Sequence, residues 1–408
     1  MNNLPQEAYS MTGKKVTEGI SLITAVKNRE EMLRQTLPTW LANPEIDEII
    51  IVDWSSDNSI EDLLAGFRDD RIFLAIVKDQ AKWVLSYAYN LAARLASKDK
   101  ILKIDADVKI MPGFFAKHEL KPGRFFTGNW RIARNENETH LNGMAFYFRS
   151  DFFRVNGYNE FITTYGWDDT DLFDRMIESG LTRSDLDPDA LFHIPHEDRV
   201  IHQDGTNFLK QIDDKERATI NTLMNRYIVA NFKQWNSSCN FSDFKISNTS
   251  DQHVVLHLLI NKENEVPVEI LEKSEMVAIR DRLEQWQIII HDEWFKILSK
   301  NDLIALYRYF LTIIAEKTRQ PDAITLLRKL MAARPVATAD PQDENEKAEK
   351  RFRELEAILK QKETDYIMLE KKYNNTSGKL EMIMKSRTYR YGSIIARLIG
   401  SIREPFSK

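Results

Sequence analysis

The chain has 408 residues, 43% hydrophobic and 29% charged, with a net charge of −5. That length suits two or three domains, and the acidic balance excludes a nucleic-acid binder acting through overall charge. The single cysteine, Cys239, excludes an intramolecular disulfide and fits a reducing compartment. No Cys/His cluster has structural-zinc spacing. The first 18 residues carry no apolar signal core. No apolar run approaches the ~20 residues that span a bilayer. The expected location is the cytoplasm, as a free protein or peripheral on the cytoplasmic face of the inner membrane.

After an N-terminal arm (1–18), short apolar runs alternate with helical patterns. Ile20 to Val26 reads as a buried strand. Arg29 to Leu41 reads as a helix, with Met32, Leu33, Leu37 and Trp40 at helical spacing. Glu48 to Asp53, Ile72 to Val77 and Lys100 to Ile104 read as further strands, and Tyr87 to Ala96 as an alanine-rich helix. Such alternation predicts a mostly parallel sheet covered on both faces. Ligands of such sheets bind beyond the strand carboxyl ends. Thr24 to Asn28, Asp53 and Asp105 all fall there.

Phe125 to Trp130 and Gly143 to Phe148 read as strands flanking a polar turn. A helix from Thr170 to Ser179 is stopped by Gly180. From 236 to 334 the expectation is an accessory, mainly helical domain, with a hairpin of His253–Ile260 and Val266–Ile270 before helices from Ser274 onward. Residues 335–346 form a Pro/Asp/Glu-rich linker. Then Phe352, Leu359, Tyr366, Tyr373 and Leu380 recur every seventh residue beside a second seam of Ala348, Leu355, Lys362, Leu369, Thr376 and Ile383. Paired seams over 347–385 predict a coiled coil that joins two copies; a single amphipathic helix packed on its own body is the alternative. The segment 386–408 has four arginines and one lysine against Glu404, and Ile394, Ile395, Leu398, Ile399 and Ile402 share one helical face. It suits an anionic membrane surface, with avidity from a dimer, or a tail docked on protein.

Three constellations carry chemistry. Asp105 and Asp107 are alternate residues at a strand end, two oxygen donors suited to Mg²⁺ or Mn²⁺ with diphosphate oxygens and water. The plain alternative is a solvated turn. Asp168, Asp169 and Asp171 crowd a helix start behind Trp167, which offers an apolar wall to a sugar face. A carboxylate here serves as a base for an acceptor hydroxyl, or simply as a helix cap. His193 and His196 follow, with His202 beyond; either of the first two adds a nitrogen ligand to the metal, and the break at Pro195 turns only one of them inward. For a nucleotide, Thr24 to Arg29 offers backbone N–H groups, a helix N-terminus and two cations. Asp53 offers an acceptor for a base or ribose. There is no glycine-rich dinucleotide fingerprint and no Walker loop.

The order Thr24-Ala25-Val26-Lys27-Asn28-Arg29, Ile50-Ile51-Val52-Asp53-Trp54, Asn90, Lys103-Ile104-Asp105-Ala106-Asp107 and Tyr165-Gly166-Trp167-Asp168-Asp169-Thr170-Asp171-Leu172 resembles family-2-like bacterial glycosyltransferases of the GT-A fold. Its second half resembles the galactosyltransferase carboxyl-terminal motif. The resemblance covers about 18–235, and it sets the catalytic domain at 19–235. It implies an α/β sheet covered by helices, with Asp105 and Asp107 in the metal and diphosphate motif. It also implies Asp53 at the nucleotide base, Asp169 as catalytic base, Asp168 on sugar or acceptor hydroxyls, and His196, or else His193, on the metal. Thr24, Ala25, Lys27, Asn28, Arg29, Asp53, Asn90, Asp105, Ala106, Trp130, Trp167 and Asp171 form the implied nucleotide-sugar set. Trp54 stands where many relatives have a second aspartate. The tail after the heptads is similar to carboxyl ends of bacterial surface-polysaccharide glycosyltransferases.

The expected activity is inverting, metal-dependent transfer of a hexose or N-acetylhexosamine, of galactosyl or N-acetylgalactosaminyl type. The donor is a UDP-sugar, and the acceptor is a hydroxyl of a surface polysaccharide or lipid-linked glycan. Two rivals are a sugar nucleotidyltransferase, which would carry a glycine-rich loop after the first strand, and a non-catalytic coiled-coil scaffold.

Overall fold

A computed structural model describes residues 10–196, 209, 212–232, 241–259, 265–286 and 288–316. The linker, the heptads and the basic tail lie outside the described residues, as do Cys239, His202 and the first nine residues of the N-terminal arm. The chain divides into two compact units, Met1–Ile270 and Leu271–Lys408.

The first unit is built on a nine-stranded sheet. Its elements are β1 (Thr17–Val26), α1 (Glu30–Leu41), β2 (Glu48–Trp54), α2 (Ile60–Leu64), β3 (Ile72–Lys78), α3 (Leu85–Leu95) and β4 (Lys98–Lys103). Then come β5 (Val108–Ile110), α4 (Phe114–Lys117), β6 (Arg124–Thr127), β7 (Ala145–Phe148), α5 (Arg149–Arg154), α6 (Asp168–Glu178) and β8 (Thr182–Asp185). β9 (Leu191–His193), α7 (Asp214–Asn231), β10 (Asp243–Thr249) and β11 (His253–Leu259) complete it. The strand order is β10-β11-β3-β2-β1-β4-β7-β6-β8. The run from β3 to β4 is parallel, as the alternation predicts, and β11 adds a further parallel strand beside β3. The sheet is mixed at its flanks: β7 runs antiparallel to β4 and β6, and β10 antiparallel to β11.

Why these strands read as continuous apolar runs is visible in the packing. Successive side chains point to opposite faces, and both faces are covered. Ile23, Ala25, Ile50, Val52 and Trp54 pack with α3 and α6 on one face. Leu22, Val26, Ile49 and Ile51 pack with Leu33, Leu37 and Trp40 of α1 on the other. Each fully buried Leu or Ile contributes roughly 1.5–3 kcal/mol, so a polar residue inside these strands needs a reason. Lys103, fully buried at the end of β4, is such a residue.

The expected hairpin of 253–260 with 266–270 is corrected. β11 pairs with the preceding strand β10 instead, and residues from Val268 onward are helical. Pro267 explains the switch, since proline suits a helix start and interrupts a strand. The hairpin is hydrogen-bonded through β11 to β3, from His253↔Leu74 to His257↔Lys78, so the sheet continues past the domain boundary expected at 235. A buried polar knot fixes it. Glu160 accepts from Asn90 Nδ2 (2.9 Å), Ser242 N (2.9 Å) and Ser242 Oγ (2.5 Å).

The second unit is helical over most of its described residues. It contains most of α8 (Val268–Gln285), with α9 (Asp292–Ile297) and α10 (Lys300–Glu316). Trp286 stacks on Tyr307, and Lys300 pairs with the buried Glu275. Among the described residues no helix is long and apolar enough to cross a membrane.

Candidate active site

β4 delivers Asp105 and Asp107 just beyond its carboxyl end. A separate two-stranded ladder then brings a distant segment to them. β5 and β9 pair antiparallel with Val108 opposite His193, and Ile194 N donates to Asp107 O at 2.8 Å. This places His193 and His196 beside Asp107. His196 Nε2 lies 2.9 Å and His193 Nε2 3.8 Å from Asp107 Oδ2. One ligand atom from each of the three residues lies within 4.8 Å of the others. The expectation that Pro195 turns only one histidine inward is therefore corrected: both reach the same carboxylate.

These residues fit a divalent cation. His193 Nδ1 is 2.7 Å from Asn137 Oδ1, and Asn137 Nδ2 donates to His193 O at 2.9 Å. An Nδ1–H held by Asn137 leaves the Nε2 lone pair facing Asp107, the outer arrangement that orients a histidine ligand. A carboxylate with two imidazoles suits Mn²⁺ and related ions. Burial works against the Asp107 carboxylate, yet the His196 hydrogen bond and both histidines hold it below its ordinary value.

Asp105 is engaged differently. Its Oδ1 accepts from Tyr89 Oη (2.7 Å) and Lys103 Nζ (3.0 Å), and it is not part of the Asp107–histidine cluster.

The second acidic cluster opens α6. Trp167, in the left-handed region at φ 68°, turns the chain into the helix, and Gly166 before it has φ 94°. Gly166 must be glycine: a Cβ there would collide with Thr222 of α7. Asn225 of α7 donates to Gly166 O at 2.7 Å, and the Arg226 guanidinium lies over the Trp167 ring at 5.5 Å. The three acids that follow have separate environments. Asp169 Oδ1 accepts from Tyr158 Oη (2.7 Å) and faces Lys103 Nζ at 3.5 Å. Burial pushes Asp169 up against the opposing pull of Lys103, with Asp105 adding to the rise. Asp168 is pushed up to about 7 by burial first and by the Asp169 charge second. Its Oδ1 accepts from Asp169 N. Asp171 instead pairs with Arg175 of the same helix, at 2.6 Å and 3% side-chain exposure.

A cleft of about 600 Å³ gathers most of these groups. Its walls carry Ala25, Lys27, Arg29, Asp105, Ala106, Asp107, Trp130, Trp167, Asp168, Asp169, His193 and His196 from the sequence-derived set. Thr24, Asn28, Asp53, Asn90 and Asp171 are not on those walls. Thr24 is buried in β1. Asn28, at φ 54°, bonds Asp57. Asp53 accepts from Ser56 N at the end of β2, its carboxyl raised by burial. Asn90 holds Tyr158 by both N and O. Lys27 reaches the cleft, but its ammonium donates to Trp54 O, Ser55 O and Gln80 O at 2.7–3.1 Å, which ties down the loops after β2 and β3.

Sequence reasoning missed Lys103, Tyr89, Tyr158 and Asn137. Lys103 had a signal: a lysine two residues before Asp105, on the same side of a strand otherwise closing on apolar residues. The tyrosines and Asn137 had none.

Residues 21–121 match the family described as glycosyl transferase family 2, and residues 129–197 match that described as the N-terminal domain of galactosyltransferase. No curated protein matches the chain. Among solved structures, the catalytic domain of a Drosophila beta1,4-galactosyltransferase with xylobiose is similar at 14% identity and TM-score 0.40, over 60% of this chain and 95% of that one. A Pyrobaculum calidifontis mannosyltransferase with GDP-Man and Mn²⁺ is similar at 12% identity and TM-score 0.34, over 84% and 88%. The weight rests on the two sequence matches, which between them hold both acidic clusters and both histidines. They identify a glycosyltransferase with a galactosyltransferase-type segment.

Proposed function

We propose that this enzyme transfers a hexose or N-acetylhexosamine from a UDP-sugar, with inversion, to a hydroxyl of a bacterial surface glycan or its lipid-linked precursor. The observation that carries the reading is the one cleft lined both by a carboxylate–bis-histidine cluster and by a base-like carboxylate. Asp107, His193 and His196 would hold Mn²⁺ or Mg²⁺, with Asp105 beside them toward the donor. When bound, the ion supplies positive charge against the diphosphate leaving group.

The chain's own groups do the rest. Trp167 and Trp130, the latter 53% exposed, offer flat apolar faces to sugar rings. Asp169, raised above its ordinary value but poised beside Lys103, accepts the proton of the attacking hydroxyl. Asp168 accepts or donates to a neighbouring sugar hydroxyl. A single in-line displacement needs one base and no protein nucleophile, which accords with this division. Arg29, on the cleft wall, would meet the donor phosphates. The heptads and the basic tail, known from sequence alone, suit two copies held at an anionic membrane where a lipid-linked acceptor grows.

The test uses radiolabelled UDP-hexoses and UDP-N-acetylhexosamines with Mn²⁺ and a lipid-linked glycan extract. Transfer and slow hydrolysis are expected for one donor, and both are expected to vanish with chelation. Asp169→Asn should lower transfer about 10²–10⁴-fold while Mn²⁺-dependent UDP binding survives. Wild-type-like transfer by that variant would move the base elsewhere.

A further inference from the structure

Lys103 is an unusual expense for this fold. It is fully buried at the end of a central strand, where an ammonium must be surrounded by acceptors to be tolerated. It has three: Asp105 Oδ1 at 3.0 Å, Gly143 O at 2.8 Å and Asp169 Oδ1 at 3.5 Å. Its charge also sits 4.5 Å from the Tyr89 ring centroid, and Tyr89 donates to the same Asp105 oxygen. No other described side chain has an ion pair to both acidic clusters.

We propose that Lys103 is a positioning residue that spans the two halves of the site. Its ammonium, anchored on the Asp105 carboxylate, fixes the Asp169 carboxylate in place for the acceptor. This rests on the reading of Asp169 as the base. The geometry makes the role specific. Asp169 Oδ1 has two donors to aim it, Tyr158 Oη and Lys103 Nζ, and only Lys103 carries charge. Gly143 keeps the arrangement open from the far side: a Cβ there would stand 2.7 Å from Asp169 Oδ2 and 3.0 Å from Lys103 Nζ. The same ammonium therefore requires a lysine at 103 and a glycine at 143.

The experiment compares Lys103→Met, Lys103→Arg and Gly143→Ala with the wild-type full chain. The probes are Mn²⁺ with UDP by calorimetry and transfer from the active UDP-sugar. Lys103→Met should lower kcat on the order of 100-fold, while the Kd for UDP with Mn²⁺ changes by less than about fivefold. Lys103→Arg, which keeps the charge, should recover part of that kcat. Gly143→Ala, which alters neither partner, should lower kcat in the same direction with UDP binding intact. Because Lys103 acts through Asp169, Lys103→Met placed on Asp169→Asn should cost little further activity, a non-additive cycle. Additive losses, or a Lys103→Met enzyme with wild-type kcat, overturn the inference. If Lys103→Met does not fold, Gly143→Ala and Lys103→Arg decide it, and unchanged kcat in both overturns it. A wild-type chain that transfers no sugar from any donor would sink the functional reading itself, a separate outcome.

Discussion

Asp107 and Asp169 face one cleft, are both largely buried, and have their carboxyl groups shifted in opposite directions. Two imidazoles draw Asp107 below the ordinary carboxylate range. Burial lifts Asp169 above that range despite a lysine beside it, and Asp168 next door reaches about 7. The difference follows from the scaffolds. Asp107 immediately precedes β5, whose partner strand β9 ends at His193 and leads on to His196. Asp169 lies in the first turn of α6, packed against buried tyrosines that offer one hydroxyl and much apolar surface. A group that must stay ionised to hold a cation and a group that must be able to take up a proton need such opposite settings. Two acidic clusters that look alike in sequence are thus made unlike by what the fold packs around them.

The contrast can be broken at graded cost. The largest effect should come from Asp171, the acid that belongs to neither task. Asp171→Ala leaves the Arg175 guanidinium without its carboxylate in a nearly buried position, which should cost about 3–5 kcal/mol of stability. Denaturant unfolding should register that loss, while kcat of the remaining folded enzyme stays near wild type. A fall in kcat at full stability would give Asp171 a chemical role.

Next is the outer support of the candidate metal site. Asn137→Ala should weaken Mn²⁺ binding about 10- to 100-fold by freeing the His193 ring. Calorimetric Mn²⁺ titration with UDP present measures it, and unchanged affinity would remove His193 from the ligand set.

A further contrast concerns Asp168. Its folded value lies above its unfolded value of 3.8. The wild-type chain therefore loses stability as pH rises from about 4 through about 7, relative to a chain with no such group. Asp168→Asn should melt near the wild-type temperature at pH 4 and above it at pH 8. Equal differences at the two pH values would mean that Asp168 is not held protonated by its surroundings.

Much of this was legible in the chain. The parallel strands could be read because both faces of each are covered, so their apolar runs are uninterrupted from Ile49 to Val52 and from Ile72 to Val77. The acidic clusters could be read because several aspartates in a row have few purely structural uses. The hairpin of β10 and β11 could not, since β10 is a half-exposed edge strand with a weak alternation. Asn137 sits in a turn of seven 3-10 residues whose polar sequence resembles any loop. Its role exists only because β9 returns to that spot. The convergence of both histidines was hidden for a like reason. Pro195 breaks the strand pattern, but the chain bends after it in a way that brings His196 back to Asp107.

The buried Glu160 knot has a practical consequence for anyone trimming this enzyme. A chain cut at residue 235, where the sequence places the domain edge, would lose both Ser242 donors to a carboxylate buried in the first unit. It would also strip β11 from β3 and leave a flat, apolar strand edge open to other chains. Asn90, which shares Glu160, holds the turn that carries Tyr158 toward Asp169. Truncation at 235 should therefore yield aggregation together with a misplaced Asp169, whereas an end beyond Leu259 keeps the sheet and the cleft whole.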